Sequence, residues 1–267
     1  MELKNGVCIV TGSATGIGAA CALQLAQRGC RTVINYTKSE GEARATAKLC
    51  EEHGTEALLV RANVAEDADC HRMADAALAK WGRIDALVNN AGYGVPGKFV
   101  ASPWERHDDM LQVMVTGLAE LTHRLLPGMI ERGYGRILNV ASLAGLVPAP
   151  AGHTLYAASK ALVIKFSEAL SHEVRRHGIH VTAVCPGFTY SEFHDVIGTR
   201  EQMDKLPSWM WLDSPTVARQ GYEAVMAGTP VYINGRVNRT IALLVRLLPQ
   251  VVVKTIGRRF GRSYRKT

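Results

Sequence analysis

Short β-branched runs alternate with longer stretches of helical periodicity along nearly the whole chain. No other property restricts its fold as much. VCIVTG (7–12), RTVINY (31–36), ALLVRANV (57–64), IDALVNNAG (84–92), GRILNVAS (135–142), HVTAVCPG (180–187) and PVYING (230–235) are predicted strands. Helical spacing fills 16–28, 40–53, 67–81, 103–132, 156–177 and 216–227, with Gly54, Gly133 to Gly135 and Gly178 as stops. Strands rejoined through helical crossovers pair in parallel and carry helices on both faces, so the chain is predicted to be a doubly wound α/β protein. No internal repeat, low-complexity linker or domain boundary interrupts residues 1–235, which are taken as a single domain. The irregular stretch 190–215 is too long for a turn and is expected to be a lid or binding segment.

Composition narrows the class. A chain of 267 residues with 47% hydrophobic side chains can bury an ample core. The opening MELKNG leads directly into VCIV, too short for the apolar core of a signal peptide. The apolar stretch 241–253 is broken by Arg246 and Pro249 and falls short of the ~20 residues that span a bilayer. Six scattered cysteines without a C-x-x-C pair suit buried thiols in a reducing cytoplasm. The histidines show no H-x-x-x-H spacing, and no metal site is expected. The net charge of +7 is local: nine Lys/Arg and no Asp/Glu lie in 234–267, while the rest holds 22 basic and 24 acidic residues. A basic, amphipathic extension, 236–267, therefore follows a near-neutral body.

TGSATGIG (11–18) sets Gly12, Gly16 and Gly18 between the first strand and the first helix. A glycine-rich turn there lets the backbone approach a pyrophosphate seated on the helix N-terminus. Together with Asn89-Asn90-Ala91-Gly92, Ser142, Tyr156-Ala-Ala-Ser-Lys160 and Pro186-Gly187, in that order, it resembles the motif set of the short-chain dehydrogenase/reductase family over roughly residues 5 to 230. The resemblance implies a Rossmann-type sheet of about seven strands, a nicotinamide cofactor and hydride transfer between an alcohol and a carbonyl. It also implies cofactor contacts from Gly12, Ser13, Thr15, Gly16, Ile17, Gly18, Asn63, Val64, Asn90, Ala91, Gly92, Pro186, Gly187, Thr189 and Ser191. The family forms dimers or tetramers through its two long helices, and a homodimer or homotetramer is expected here.

The end of the second strand reads Tyr36-Thr37-Lys38-Ser39, with no carboxylate before Glu40. An acidic residue there would bind the adenosine ribose and repel a 2′-phosphate. Thr37, Lys38 and Ser39 can instead hydrogen-bond or charge-pair with that phosphate, which favours NADP(H). The glycine turn offers Ser13, Ala14 and Thr15 where the family's NADP-binding members carry a basic residue, so NAD(H) stays open.

Reduction of a carbonyl needs a hydride, a proton donor and a group that polarises the oxygen. Tyr156 and Lys160 stand one helical turn apart on one face, with small residues between them. A lysine ammonium there is expected to lower the tyrosine pKa from its usual ~10. Ser142, just past the fifth strand, can hydrogen-bond the substrate oxygen. The resemblance assigns the same roles: Tyr156 acid/base, Lys160 pKa depression and ribose binding, Ser142 polarisation. It also implies an asparagine three residues before Gly117, supporting a water relay; Met114 holds that place. VPAPAGH (147–153) absorbs one extra residue between Ser142 and Tyr156 and brings His153 near the site.

Phe193, Met203, Leu206, Pro207, Trp209, Met210 and Trp211 make 190–215 suited either to a bulky apolar substrate or to pinning a lid. The basic extension admits attachment to anionic lipid, or a helix that caps the pocket or packs in a dimer; the packed helix is favoured. Nucleic-acid binding is not expected, because the charge is confined to one end and no binding module is present. The functions carried forward are an NAD(P)-dependent oxidoreductase acting on a small carbonyl or alcohol, a cofactor-binding regulator without turnover, and a membrane-surface protein.

Overall fold

The computed structural model describes residues 3–149, 151–191 and 207–248. Seven parallel strands form one sheet: β1 (Val7–Val10), β2 (Arg31–Tyr36), β3 (Ala57–Arg61), β4 (Ala86–Asn89), β5 (Gly135–Val140), β6 (Ile179–Cys185) and β9 (Val231–Ile233). Their order is β3-β2-β1-β4-β5-β6-β9, with the reversal between β1 and β4 that defines a doubly wound Rossmann-type sheet. A separate two-stranded ribbon pairs β7 (Thr189–Tyr190) with β8 (Leu212–Asp213). Residues 192–206 of the expected lid and 249–267 of the basic extension lie outside the described residues.

Strand alternation divides the core. Cys8 and Val10 of β1 point to one face, where α1 (Gly16–Ala26), α2 (Glu40–Glu51) and α7 (Ser214–Met226) pack through Cys21, Leu25, Ala43, Ala47 and Val225. Val7 and Ile9 point to the other, where α3 (Asp67–Trp81) and α5 (Gly117–Glu131) bring Met73, Ala77, Leu121, Leu125 and Met129. Both helical layers are needed because parallel strands are apolar on both sides.

The single helix predicted over 103–132 is instead α4 (Trp104–Leu111) and α5, joined by a π-turn, Gln112–Thr116. Gly117, at its end, presses on β3's exit: a side chain there would come within 2.0 Å of the Val64 carbonyl oxygen. α6 (Thr154–Val174) starts two residues earlier than its spacing predicts, which puts Tyr156 in the first turn. A buried amide layer ties these helices to the sheet. Asn89 Nδ2 donates to Asn139 Oδ1 (2.8 Å) and Thr122 Oγ1 (3.1 Å), and Asn139 Nδ2 donates to Ser167 Oγ (2.8 Å). Such groups remain buried only when paired.

The first part of the basic extension is α8 (Arg236–Leu247), which follows the edge strand β9. Among the described residues no helix is long and apolar enough to cross a membrane.

Candidate active site

The carboxyl ends of β1, β4, β5 and β6 open on one edge of the sheet, and the motifs meet there. Gly12 and Gly16 both take positive φ (60° and 59°), and Gly18 allows α1 to start against the turn, since a side chain on it would lie 2.3 Å from the Gly12 carbonyl oxygen. Neighbouring elements clamp the turn. Asn35 Oδ1 accepts from Gly12 N (2.9 Å), Asn90 Nδ2 donates to the carbonyls of Thr11 (3.0 Å) and Gly12 (2.9 Å), and Thr46 Oγ1 donates to that of Ala14 (2.9 Å). Thr15, at the helix start, makes no side-chain cap, and the first turn of α1 carries no acidic residue. The N-terminal amides of α1 thus suit a pyrophosphate in chemistry and charge.

Ser13 departs from expectation. It is fully buried; its hydroxyl donates to Val10 O (2.8 Å) and accepts from Asn35 N (2.8 Å), and its own N–H donates to Asn35 O (3.0 Å). It holds the turn against β2. Asn35, which spacing did not single out, is the matching half of that clamp. Its signal is an amide directly after the apolar pair Val33-Ile34 in a buried strand.

Ser191 is brought to Gly16, whose side-chain direction would meet Ser191 Cβ at 3.2 Å. Thr189 is buried and donates to Gly187 O (3.2 Å). Pro186 O accepts from Leu143 N (2.9 Å), joining the end of β6 to the loop after Ser142. Asn63 is held in a local turn by Ala65 N (3.2 Å to Oδ1), with Val64 buried behind it. Ala91 N and Asn90 N donate to Thr11 Oγ1, while Gly92 lies against Met114, whose Cγ is 3.2 Å from the position of an added side chain. Tyr36 is partly buried; Thr37 and Lys38 are exposed. Arg61, unremarked in the sequence, donates from Nε to Thr37 O (3.2 Å) and so adds a second cation beside Lys38.

Ser142 stands at the end of β5 and caps the short turn Leu143–Gly145, its Oγ accepting from Ala144 N (3.1 Å). Gly145 lets that turn press on α6, since a side chain there would lie 2.7 Å from Ala161 N. The crossing brings Ser142 to Tyr156, and the two side chains hydrogen-bond. Lys160 is 6% exposed and donates from Nζ to Val140 O (2.7 Å), with Nζ 5.8 Å from the centre of the Tyr156 ring. Burial pushes the Tyr156 phenol above its ordinary range, and the Ser142 hydrogen bond pulls it back. Burial also lowers Lys160 from 10.5 to about 8. On balance the phenol stands above its ordinary value; the opposing pull comes from Ser142, while Lys160 Nζ is bonded to the β5 carbonyl, so the lowering expected from Lys160 is not what this arrangement gives. His153 meets the Tyr156 ring edge-on at 6.0 Å. Cys185, buried at the end of β6, interacts electrostatically with Lys160, and burial holds its thiol up to about 12.

Residues 6–202 match the family described as short chain dehydrogenase. A 3-oxoacyl-[acyl-carrier-protein] reductase of Staphylococcus aureus is 31% identical over 225 residues, covering 84% of this chain and 89% of its own. The protein of the same name from Synechocystis sp. is 33% identical over 227 residues, covering 85% and 88%. The crystal structure of levodione reductase superposes with a TM-score of 0.78 over 88% of this chain and 98% of its own, at 23% identity.

Proposed function

Since the chain belongs to the short-chain dehydrogenase/reductase family of NAD(P)-dependent oxidoreductases, we propose that it interconverts an apolar carbonyl compound and its alcohol, with NADP(H) as the preferred cofactor, Tyr156 as acid/base, and Ser142 and Lys160 supporting it. The observation that carries this is the meeting of the Ser142 and Tyr156 hydroxyls above a buried Lys160, on the sheet edge that also holds the glycine turn. The nicotinamide, when bound, supplies or accepts the hydride. Gly12, Thr15, Gly16, Ile17 and Gly18 would hold the pyrophosphate, and Asn63, Val64, Asn90, Ala91 and Gly92 would line the nucleoside. Pro186, Gly187, Thr189 and Ser191 would flank the reactive end.

In the reducing direction Tyr156 gives its phenolic proton to the carbonyl oxygen as that oxygen gains charge. Ser142 Oγ accepts from Ala144 N, and its own proton, directed at the Tyr156 hydroxyl, would turn to the same substrate oxygen. Lys160, whose Nζ is held by the β5 carbonyl, would bind the ribose and return a proton toward Tyr156. Thr37 O fixes Arg61 beside Lys38, and this pair of cations supports a preference for the 2′-phosphate over a bare ribose. The name of the S. aureus relative makes a 3-oxoacyl thioester the first substrate to assay. Tyr156→Phe should lower kcat on that or any accepted carbonyl by about 10²- to 10⁴-fold. NADPH binding, followed by cofactor fluorescence, should stay within a few-fold of wild type. Turnover that survives the substitution would sink the assignment.

A further inference from the structure

We propose that α8 docks the protein on an anionic lipid surface. The inner side of the helix is committed to the fold. Asn238 is 5% exposed, donates to Asn234 O (2.7 Å), and lies so close to Gly187 that a side chain there would meet its Oδ1 at 2.5 Å. Val237, Ile241, Ala242 and Val245 are partly buried on the same side. The carboxyl half of the outer side carries leucines left exposed among the described residues: Leu243, Leu244 and Leu247 are 55%, 49% and 70% exposed, with exposed Thr240 on the same arc one turn earlier. At about 100° per residue these leucines share an arc of roughly 100°. Arg239 and Arg246 border it on one flank, and Arg236 stands at its amino end.

Charge selects the occupant. From 234 to 267 there are nine Lys/Arg and no carboxylate, six of them beyond α8 at Lys254, Arg258, Arg259, Arg262, Arg265 and Lys266. A second copy set two-fold on this face would oppose arginine to arginine, with no carboxylate in 234–267 to neutralise them. Three leucines on a helix ~18 Å long also fall well short of the ~800 Å² per partner of a stable interface. A bilayer with anionic headgroups meets both needs: it accepts the leucines below the surface and pairs the arginines at it. Because Asn238 anchors α8 to Gly187, docking there would hold the β6 end of the cleft near the lipid, where an apolar carbonyl compound would be dissolved.

The test is sedimentation of the full chain with vesicles of phosphatidylcholine alone or with about one-third phosphatidylglycerol. The protein should pellet with the mixed vesicles at least about tenfold more than with phosphatidylcholine, and lose this as salt rises from about 0.1 M to about 0.5 M. Leu243→Ser/Leu244→Ser/Leu247→Ser should reduce pelleting to the phosphatidylcholine level, with light scattering in the absence of vesicles giving the wild-type mass. Arg239→Gln/Arg246→Gln, which keeps the leucines, should weaken pelleting several-fold and decides the matter should the triple variant not fold. Equal pelleting with both vesicles, indifference to either variant, or a mass that falls with the leucines and so assigns the face to a second copy, would overturn the proposal.

Discussion

Lys160 holds a charge where the fold would prefer none. Its ammonium is buried, has a carbonyl rather than a carboxylate for a partner, and titrates at about 8 instead of 10.5. The unfolded chain therefore binds a proton that the folded one gives up between those two values. Folded stability is lowest, on this account, below pH 8, rises as pH climbs from 8 to 10.5, and gains nothing further above that. The gap is worth about 3 kcal/mol. Lys160→Met should abolish turnover yet raise the unfolding free energy by about 1–3 kcal/mol at pH 7, somewhat below the full gap because Val140 O loses its donor. That gain should shrink toward zero by pH 10.5. Denaturant melts of both proteins across pH 7–10.5 check it, and a variant less stable than wild type at pH 7 would refute it. Lys160, Tyr156 and Ser142 were legible in the sequence through the order and separation of five motifs. Asn35, Ser13's buried role and Arg61 were not. Each acts through a neighbour brought by strand pairing, Asn35 across to the glycine turn and Arg61 across to Thr37, and spacing along one chain carries no such information.

The helix over 67–81 was legible to the residue, because Asp67 opens it and Gly82, at φ 73°, closes it in the left-handed region. The ribbon β7–β8 was not, since two-residue strands have no period to detect. Nor was the π-turn, where Gly117 N reaches back to Gln112 O and the turn holds one residue more than an α-helical turn would. A turn of that kind leaves a carbonyl outside the helical ladder, and π-turns recur at functional sites for that reason. Met114 is its buried centre, and its thioether fills the space against Gly92. Met114 stands where the family resemblance implies an asparagine. Met114→Asn should raise kcat by restoring a side-chain donor and acceptor to the proton route. It should also cost about 2–3 kcal/mol of stability, because an amide replaces a packed apolar group. Steady-state kinetics on folded protein, paired with a thermal melt, separate the two effects; unchanged or lower kcat would count against a relay through this turn.

The doubly wound topology explains why so much of the site was visible before any contact was known. With every strand of the main sheet parallel, each motif that follows a strand lands on the same edge. The ends of β1, β4, β5 and β6 converge there, so the order of motifs in the chain is already a map of the cleft. Cofactor discrimination is different, because it depends on which side chains of adjacent strands meet. Tyr36 of β2 pairs with Arg61 of β3, and the loop leaving β2 carries Lys38 beyond it. One cation comes from the end of β3 and the other from the loop after β2, and both would act on one phosphate. Lys38→Ala/Arg61→Ala should therefore weaken NADPH binding by about 10- to 100-fold while leaving NADH within about twofold. Ligand binding to the folded state alone raises its melting temperature, so the comparison can be made without a known substrate. Wild type should melt higher with NADPH than with an equal concentration of NADH, and the double variant should melt alike with both. A wild-type protein stabilised more by NADH would reverse the preference and leave Arg61 a role confined to holding the loop at Thr37.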